Sequence, residues 1–207
     1  MLDNISVFHS SIRIEGSKIV YFDPFKINDE THDADIIFIT HDHFDHFSPE
    51  DIDKVYKSGT IIVAPESMEQ NEKLKDYTIK VFVNPGDKNS IDEITFKAIP
   101  AYNIGKHFHP RENNWVGYVV TLDDTTYYVA GDTDMTEEAQ NVHCDVALLP
   151  CGGHYTMDYK EAAELANIIN PTYAVPTHYG SVAGSSEDGK RFTDLLNADI
   201  EGVIKIK

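Results

Sequence analysis

Hydrophobic positions along the chain form short runs that alternate with turns and with polar, helix-like segments. In the first half, three runs rich in β-branched and aromatic residues predict a meander of strands: ISVFHS, SIRIEG and KIVYFDPF. The run ADIIFIT is apolar without interruption, which is typical of a strand buried on both faces. A helix is predicted to start after Ser48, because serine caps helix N-termini and Pro49 fits the first turn. Two more predicted strands flank a predicted polar helix, ESMEQNEKLK, and these strands are TIIVAP and IKVFV.

The second half of the chain repeats this plan. Helices are predicted at about 157–169 and 187–196, and the extended runs are ITFKAIPAYN, WVGYVVTLDDTTYYVAGDTD, DVALLPCGG, YAVPTHYG and VIKI. Strands that alternate with helices predict an α/β fold in which helices cover β-sheets. No linker or low-complexity tract interrupts the chain, so residues 1–207 are expected to form a single domain.

Side chains that can bind metals come directly after four of the predicted strands. They are His41, Asp132, the segment 151–154 and His178. Open α/β sheets usually place their sites at the carboxyl ends of the strands. These residues are therefore expected to lie close together, at one rim of the fold.

The stretch THDHFDHF places three histidines and two aspartates within the six residues 41–46. On an extended backbone, His41 and His43 point to the same side, so both imidazoles can address one metal ion. Asp45 and His46 follow in a turn and can address a second ion. Imidazole and carboxylate together suit Zn²⁺, with Mn²⁺ or Fe²⁺ as realistic substitutes. The alternative interpretation is a solvated polar loop whose histidines bind nothing.

Composition and charge narrow the range of partners. Thirty-five acidic and seventeen basic side chains give a formal charge of −18, which disfavours nucleic acid and anionic membrane surfaces. Two cysteines, Cys144 and Cys151, are too few for a disulfide framework. The first residues lack the pattern of a signal peptide, and no apolar run approaches ~18 residues. We therefore expect a soluble, cytoplasmic protein with a small-molecule substrate, whose oligomeric state cannot be read from the sequence.

These motifs resemble the metallo-β-lactamase fold superfamily of metal-dependent hydrolases. The resemblance rests on H-x-H-x-D-H after an apolar strand, with Asp23 in YFDP, Asp132 in AGDTD and His178 in PTHYG. Within the superfamily, six segments are similar to small bacterial and archaeal hydrolases related to L-ascorbate-6-phosphate lactonase: PAYN, FHP, NWVGY, GDTD, LPxGGxYTM and PTHYG. The resemblance implies a four-layer αββα sandwich, in which two mixed β-sheets are flanked by helices.

The resemblance also implies a set of metal ligands. His41 and His43 would bind the first metal, and Asp45 and His46 the second. Asp132 would bridge both ions, and His178 would complete the second site. Asp23 would hold the histidine loop from behind the ligands, although an Asp-Pro turn is the alternative at this position.

One position departs from the superfamily pattern. Asn103 stands where the third ligand of the first metal is normally a histidine, and an amide oxygen is a poor zinc ligand. Downstream, His107 and His109 are both close enough to replace it, and FHP resembles the pattern of the smaller branch. His109 is therefore the predicted ligand. If both histidines are exposed to solvent, a mononuclear site is expected instead.

Several other residues have two interpretations. Cys151 and His154 have C-x-x-H spacing, but Cys151 is expected to pack as an apolar residue and His154 to line the mouth of the pocket. The aromatic residues that could belong to the core or to the pocket wall are Trp115, Tyr155 and Tyr179. The histidines without partners in sequence are assigned structural roles: His9, His32 and His143.

The predicted function is hydrolysis by a metal-bound hydroxide of a small, anionic ester, lactone or phosphoester. Asp45 and His154 are the predicted catalytic residues: Asp45 would orient the water, and His154, with Tyr155 or His109 as alternatives, would assist the leaving group. Cations that could bind the anionic part are Lys106, Arg111 and Lys190. Two alternatives remain open: a phosphodiesterase acting on small nucleotides, and a non-catalytic protein of the same fold that binds metals or ligands.

Overall fold

The structure is a computed structural model that describes residues 2–206, and its first β-sheet contains six strands in chain order. These are β1 (Ile5–Phe8), β2 (Ser11–Glu15), β3 (Ile19–Phe22), β4 (Ile36–Phe38), β5 (Ile61–Pro65) and β6 (Ile79–Val83). The first three strands are antiparallel, as the predicted meander requires, and β3 to β6 are parallel. The sheet is therefore mixed.

The second β-sheet contains seven strands and is also mixed. Its strands are β7 (Lys88–Ile91), β8 (Ile94–Pro100), β9 (Val116–Leu122), β10 (Thr125–Val129), β11 (Val146–Pro150), β12 (Tyr173–Thr177) and β13 (Glu201–Gly202). Strands β7 to β10 are antiparallel, and β10 to β13 are parallel. Asp123 and Asp124 both have positive φ in the tight turn between β9 and β10, a conformation typical of a two-residue hairpin.

Helices cover the outer faces of both sheets. The α-helices are α1 (Pro49–Val55), α2 (Glu137–Gln140), α3 (Tyr159–Ile169) and α4 (Asp188–Thr193). Apolar residues of both sheets share one central core, which includes Phe38 and Tyr118. Two further clusters fill the spaces between each sheet and its helices. These four layers confirm the predicted αββα sandwich.

Helix α1 begins where the sequence predicts. The Ser48 side chain accepts a hydrogen bond from the Asp51 amide, and Pro49 occupies the first turn. Helix α3 begins with a capping box, in which the Asp158 and Glu161 side chains each accept from the other's backbone amide. Local polar signals therefore fix both helix starts.

Two predicted elements are wrong. The segment ESMEQNEKLK forms two short 3₁₀ turns, Glu66–Met68 and Glu72–Leu74, instead of one helix. The Asn71 side chain accepts a hydrogen bond from the Lys73 amide, so a second turn begins there and the first does not continue. At the other end, VIKI is not a strand, because β13 is limited to Glu201–Gly202.

Six connections bring polar residues to one rim of the sandwich. Four of them follow β4, β10, β11 and β12, as the sequence predicts, and the fifth is the turn between β1 and β2. The sixth connection, the loop between β8 and β9, brings His109 to the same rim. Among residues 2–206, no helix combines the length and apolar character needed to cross a bilayer.

Candidate metal centre

The histidine loop is held in place by Asp23. This buried carboxylate accepts hydrogen bonds from the Thr40 amide at 2.8 Å and the Thr40 hydroxyl at 2.6 Å. Its Oδ2 also lies 2.7 Å from Nδ1 of His46. The Thr40 hydroxyl in turn lies 2.9 Å from Nδ1 of His41. Because Nδ1 of both histidines is engaged, Nε2 of each is free to face the centre of the site.

The first group of potential ligands consists of His41, His43 and His109, whose ligand atoms lie within 4.8 Å of one another. Nε2 of His41 and Nδ1 of His43 are 3.1 Å apart. The Trp115 ring packs against both imidazoles, with centroids 4.9 Å from His41 and 4.8 Å from His43. Three imidazoles that meet at one point form a ligand set well suited to zinc.

Asn103 orients His109 and is not itself in a ligand group. Its Oδ1 accepts from the His109 amide at 3.0 Å and lies 3.1 Å from His109 Nδ1. Its Nδ2 donates to the backbone carbonyl of Tyr155 at 2.9 Å. His109 is buried, whereas His107 is exposed to solvent. The structure therefore places His109, not His107, beside the other two imidazoles.

The second group consists of His9, Asp45 and His178, again with ligand atoms within 4.8 Å of one another. Oδ2 of Asp45 lies 3.3 Å from Nε2 of His178 and 3.4 Å from Nε2 of His9. The His178 amide donates to the backbone carbonyl of His9 at 2.9 Å. Two connections far apart in sequence, at β1–β2 and after β12, thus converge on Asp45.

Asp132 lies between the two groups. Its Oδ2 is 3.3 Å from Nε2 of His109 and 3.3 Å from Nε2 of His178. Its Oδ1 is 3.3 Å from Nε2 of His46, which is 3.9 Å from Asp45 Oδ2. Asp132, His46 and His41 form a linking group within the same 4.8 Å limit. A carboxylate in this position can bridge two ions.

These separations fit metal ligation better than hydrogen bonding. Ligands at the usual zinc distances lie roughly 3.3–3.4 Å apart along the edge of a tetrahedron. Six buried side-chain atoms have no hydrogen-bond partner among the described residues, and five of them belong to the proposed ligands: His46 Nε2, His109 Nε2, Asp132 Oδ1 and both ring nitrogens of His178. Buried polar atoms without partners are costly. The residues present therefore fit two metal ions.

The charge states of His41, His43 and Asp132 also favour metal binding. Burial, together with neighbouring histidines, holds the pKa of His41 well below its usual value and also lowers that of His43. Burial opposes the ionisation of Asp132, yet His178 and His46 keep its pKa well below the usual value. Neutral imidazoles beside an ionised carboxylate are the forms that bind metals.

Sequence reasoning missed the position of His9. It is 1% exposed, its ring lies 4.1 Å from that of His178, and its φ is +53°. The missed signal is its place in the turn between two strands of the meander, which brings it to the rim. By contrast, His32 and His143 are exposed, and each ring contacts only a backbone carbonyl.

A cavity of about 240 Å³ opens onto these ligands. Its floor is lined by His43, Asp45, His109, Asp132 and His178, and its wall by Phe44, Phe108, Tyr155 and Val182. His154 is exposed beside this wall, with its ring 5.2 Å from Phe108 and 4.5 Å from Tyr155, and does not line the cavity. Of the three ambiguous aromatics, Tyr155 thus lines the cavity, Trp115 backs the first group and Tyr179 is buried in the outer core.

The three cations expected to bind an anion are engaged elsewhere. Lys106 pairs with Asp134 at 2.6 Å, Arg111 with Glu138 at 2.7 Å, and Lys190 with Asp194 at 2.6 Å. None of the three lines the cavity. Cys151 is fully buried among apolar residues of the outer core, and it is outside the ligand groups found in residues 2–206.

The fold and the histidine–aspartate site together define a metal-dependent hydrolase with the metallo-β-lactamase fold. A family model described as the beta-lactamase superfamily domain matches residues 6–178, and the chain belongs to this family. More particularly, it is related to the UPF0173 metal-dependent hydrolases. One of these, from Pyrococcus horikoshii, is 34% identical over 213 residues, which cover 95% of this chain and 92% of the relative.

Solved structures support the same assignment. A protein from Parabacteroides distasonis, assigned as a metal-dependent hydrolase, is 30% identical with a TM-score of 0.81, covering 98% of this chain and 93% of its own. Igni18, a metallo hydrolase from Ignicoccus hospitalis, is 23% identical with a TM-score of 0.78. The match covers 98% of this chain and 95% of Igni18. At that lower identity, Igni18 shows the shared fold alone.

Proposed function

We propose that the protein binds two divalent ions, zinc in preference to manganese or iron, and hydrolyses a small ester, lactone or phosphoester. The observation that carries this proposal is the position of Asp132. One of its oxygens lies 3.3 Å from a nitrogen of each ligand group, on His109 and on His178. A carboxylate shared between the two groups can bridge two ions.

In this proposal, the first group would hold one ion through His41, His43 and His109. Asp45 and His178 would hold the other ion, and Asp132 could contribute to both. His46 is placed to bind the second ion through Nε2, which points between Asp132 and Asp45. His9 donates a hydrogen bond to Asp45 and so positions that ligand. Asp23 and Asn103 hold His46 and His109 in orientation.

Two ions bound here would supply hydroxide near neutral pH and polarise the carbonyl or phosphoryl oxygen under attack. Asp45 lines the cavity floor, where its carboxylate can orient the attacking water. The position of His154 does not support its predicted role in assisting the leaving group, because its exposed ring lies against Phe108 and Tyr155 outside the cavity lining.

The two alternatives now have less support. The non-catalytic interpretation rested on Asn103, yet His109 stands beside His41 and His43 in place of the expected histidine. A small-nucleotide phosphodiesterase would need groups that bind phosphate or base, and no lysine or arginine is among the described residues that line the cavity. Ester or lactone hydrolysis is therefore preferred.

A pair of histidine variants tests the proposal. His109→Ala should lose at least one of two zinc equivalents and lower kcat/KM on an acetate ester by about 100-fold or more. His107→Ala is the matched control, because His107 is exposed and outside the described ligand groups. Zinc content would be measured by mass spectrometry, alongside turnover. A His109→Ala protein with two zinc equivalents and full activity would overturn the assignment.

A further inference from the structure

The cavity divides into two chemically different halves. All the charged or ionisable side chains on its floor belong to the two ligand groups or to Asp132, the bridging residue. The wall consists of three aromatic rings and Val182. A molecule that places its reacting centre over the floor must therefore place its remaining atoms against an apolar surface.

The wall is exposed to an unusual degree. Phe44 is 68% exposed and Phe108 is 40% exposed, although aromatic side chains of this size are usually buried. Phe108 and Tyr155 meet edge to face at 4.7 Å, and Phe44 meets Phe25 in the same way at 6.0 Å. Exposed aromatic groups beside a site commonly mark a surface that is covered by a ligand.

The positions of the cations around the cavity also favour an apolar occupant. Phosphate and carboxylate groups are usually bound by arginine, lysine or converging backbone amides. The nearby cations Lys106 and Arg111 already pair with carboxylates. Lys26 lies over the rings of Phe8 and Phe25, and it is not among the residues that line the cavity. The part of the substrate beyond the reacting centre therefore meets no described cation.

On these observations, and resting on the proposed hydrolytic function, we infer that the substrate is an uncharged carboxylic ester or lactone that carries an aryl or alkyl group. The carbonyl lies over the floor, and the apolar group lies against Phe44, Phe108 and Tyr155. In the reaction, water adds its hydroxyl to the acyl carbon, the acyl C–O bond breaks, and the leaving oxygen takes the remaining proton. The volume of about 240 Å³ limits the apolar group to about one ring.

Three acetate esters test this inference, because they share the bond that is broken and differ only in the distal group. They are ethyl acetate, 2-phenylethyl acetate and 2-acetoxyethyl phosphate. With zinc-loaded protein, kcat/KM for 2-phenylethyl acetate should exceed that for each of the others by about tenfold. Equal values for the ethyl and phenylethyl esters, or a preference for the phosphate, would overturn the inference.

Variants of the wall residue Phe108 distinguish a loss of apolar binding from a general loss of activity. In Phe108→Ala, kcat/KM for the phenylethyl ester should lie within about threefold of kcat/KM for the ethyl ester, whereas Phe108→Leu should retain part of the difference. Ile168→Ala is the matched control, since Ile168 is an exposed apolar residue on α3, away from the cavity lining. If Phe108→Ala lowered kcat/KM for both esters by the same factor, Phe108 would not bind the distal group.

Binding without turnover separates this inference from the proposed function. Ligand-observed NMR should detect 2-phenylethanol on zinc-loaded wild-type protein, with weaker binding to Phe108→Ala. Binding of 2-phenylethanol without hydrolysis of any ester would refute the proposed function and leave the apolar subsite intact. Absence of 2-phenylethanol binding would refute the subsite, whatever the activity.

Discussion

Single residues around the metals decide how well the ligands are aimed. Asn103 shows this most clearly, because it stands where the superfamily has a histidine and yet hydrogen-bonds to His109 and lies outside the ligand groups found in residues 2–206. Its side chain also ties the ligand loop to the carbonyl of Tyr155. The side-chain amide of Asn103 therefore positions a candidate ligand, His109, which lies six residues further along the chain.

Replacing Asn103 tests this role. Asn103→Ala should weaken zinc binding at the first group by about 10- to 100-fold, because His109 loses the partner that fixes its ring. Asn103→Asp should retain most of the affinity, since a carboxylate oxygen still accepts from the His109 amide and Nδ1. Competition with a zinc-binding dye measures both variants. Equal affinity of Asn103→Ala and wild type would show that His109 needs no such support.

His9 leads to a matching expectation for the second group. His9→Ala should weaken binding of the second zinc equivalent by about tenfold or more and leave the first unchanged, because Asp45 loses a buried hydrogen-bond donor. His143→Ala, which removes an exposed histidine, serves as the control. Stepwise zinc titration distinguishes the two sites. Loss of both equivalents together would contradict a role confined to Asp45.

The close grouping of side chains from the H-x-H-x-D-H stretch was predictable because their spacing is local. His9 was not, because it has no ligating neighbour in sequence and reaches the site only through the pairing of β1 with β2. The choice between His107 and His109 needed the loop conformation, since both lie within a few residues of Asn103. Spacing along the chain indicates candidate ligands, whereas the way in which they are grouped depends on how the connections between strands fold.

At the scale of elements, helix α1 anchors the far end of the histidine loop. Asp51, in its first turn, accepts from the amides of Lys26 and Ile27, both at 2.9 Å, and from Lys54 Nζ at 2.9 Å. One carboxylate thus joins the helix to the segment after β3. Helix starts were predictable from their caps, but the 3₁₀ turns after β5 were not, because burial of Met68 and Leu74 shapes them.

Removing this carboxylate should destabilise the element. Asp51→Ala leaves the Lys26 and Ile27 amides without their partner, at a cost of about 2 kcal/mol in the free energy of unfolding. Glu50→Ala, at an exposed neighbouring position, should change it by less than about 0.5 kcal/mol. Denaturant unfolding measures both. A similar small change in both variants would mean that Asp51 does not anchor the helix.

The same contact predicts a dependence on pH. Partial burial opposes ionisation of Asp51, but hydrogen bonds from Lys54, Ser48 and the Lys26 amide lower its pKa below the usual value. The folded state therefore holds this proton less tightly than the unfolded state. The stabilisation is complete above the usual aspartate pKa and is lost as pH falls through the lowered value. The difference in stability between wild type and Asp51→Ala should shrink on acidification.

At the scale of the whole molecule, connections from both sheets converge on one rim, where we propose that metal ions complete the site. The formal charge of −18 and the buried carboxylates of the site both cause repulsion between negative charges. Bound divalent ions would reduce this repulsion in both cases. Alternating strands and helices made the sandwich predictable, and strand ends made the rim predictable. The division of the cavity into polar and apolar halves depends on side-chain directions in five separate connections, which the sequence pattern does not reveal.

Removing the metals should therefore lower thermal stability. For free zinc at about a thousand times Kd, binding stabilises the folded state by about 4 kcal/mol, and a chain of this size should lose about 10 °C in Tm on chelation. His109→Ala should show a smaller loss, because it starts with fewer ions. Repeating the melts in added salt separates the contribution of net charge. An unchanged Tm after complete zinc removal would contradict a metal-completed rim.

The contact between His9 and His178 has a consequence for biosynthesis. The backbone carbonyl of one residue accepts from the amide of the other, although 168 residues separate them. On the ribosome, His9 cannot form this pair until β12 has emerged. Capture of a metal ion at the second group would therefore be a late event in maturation, and translation products truncated before β12 would not fill that position.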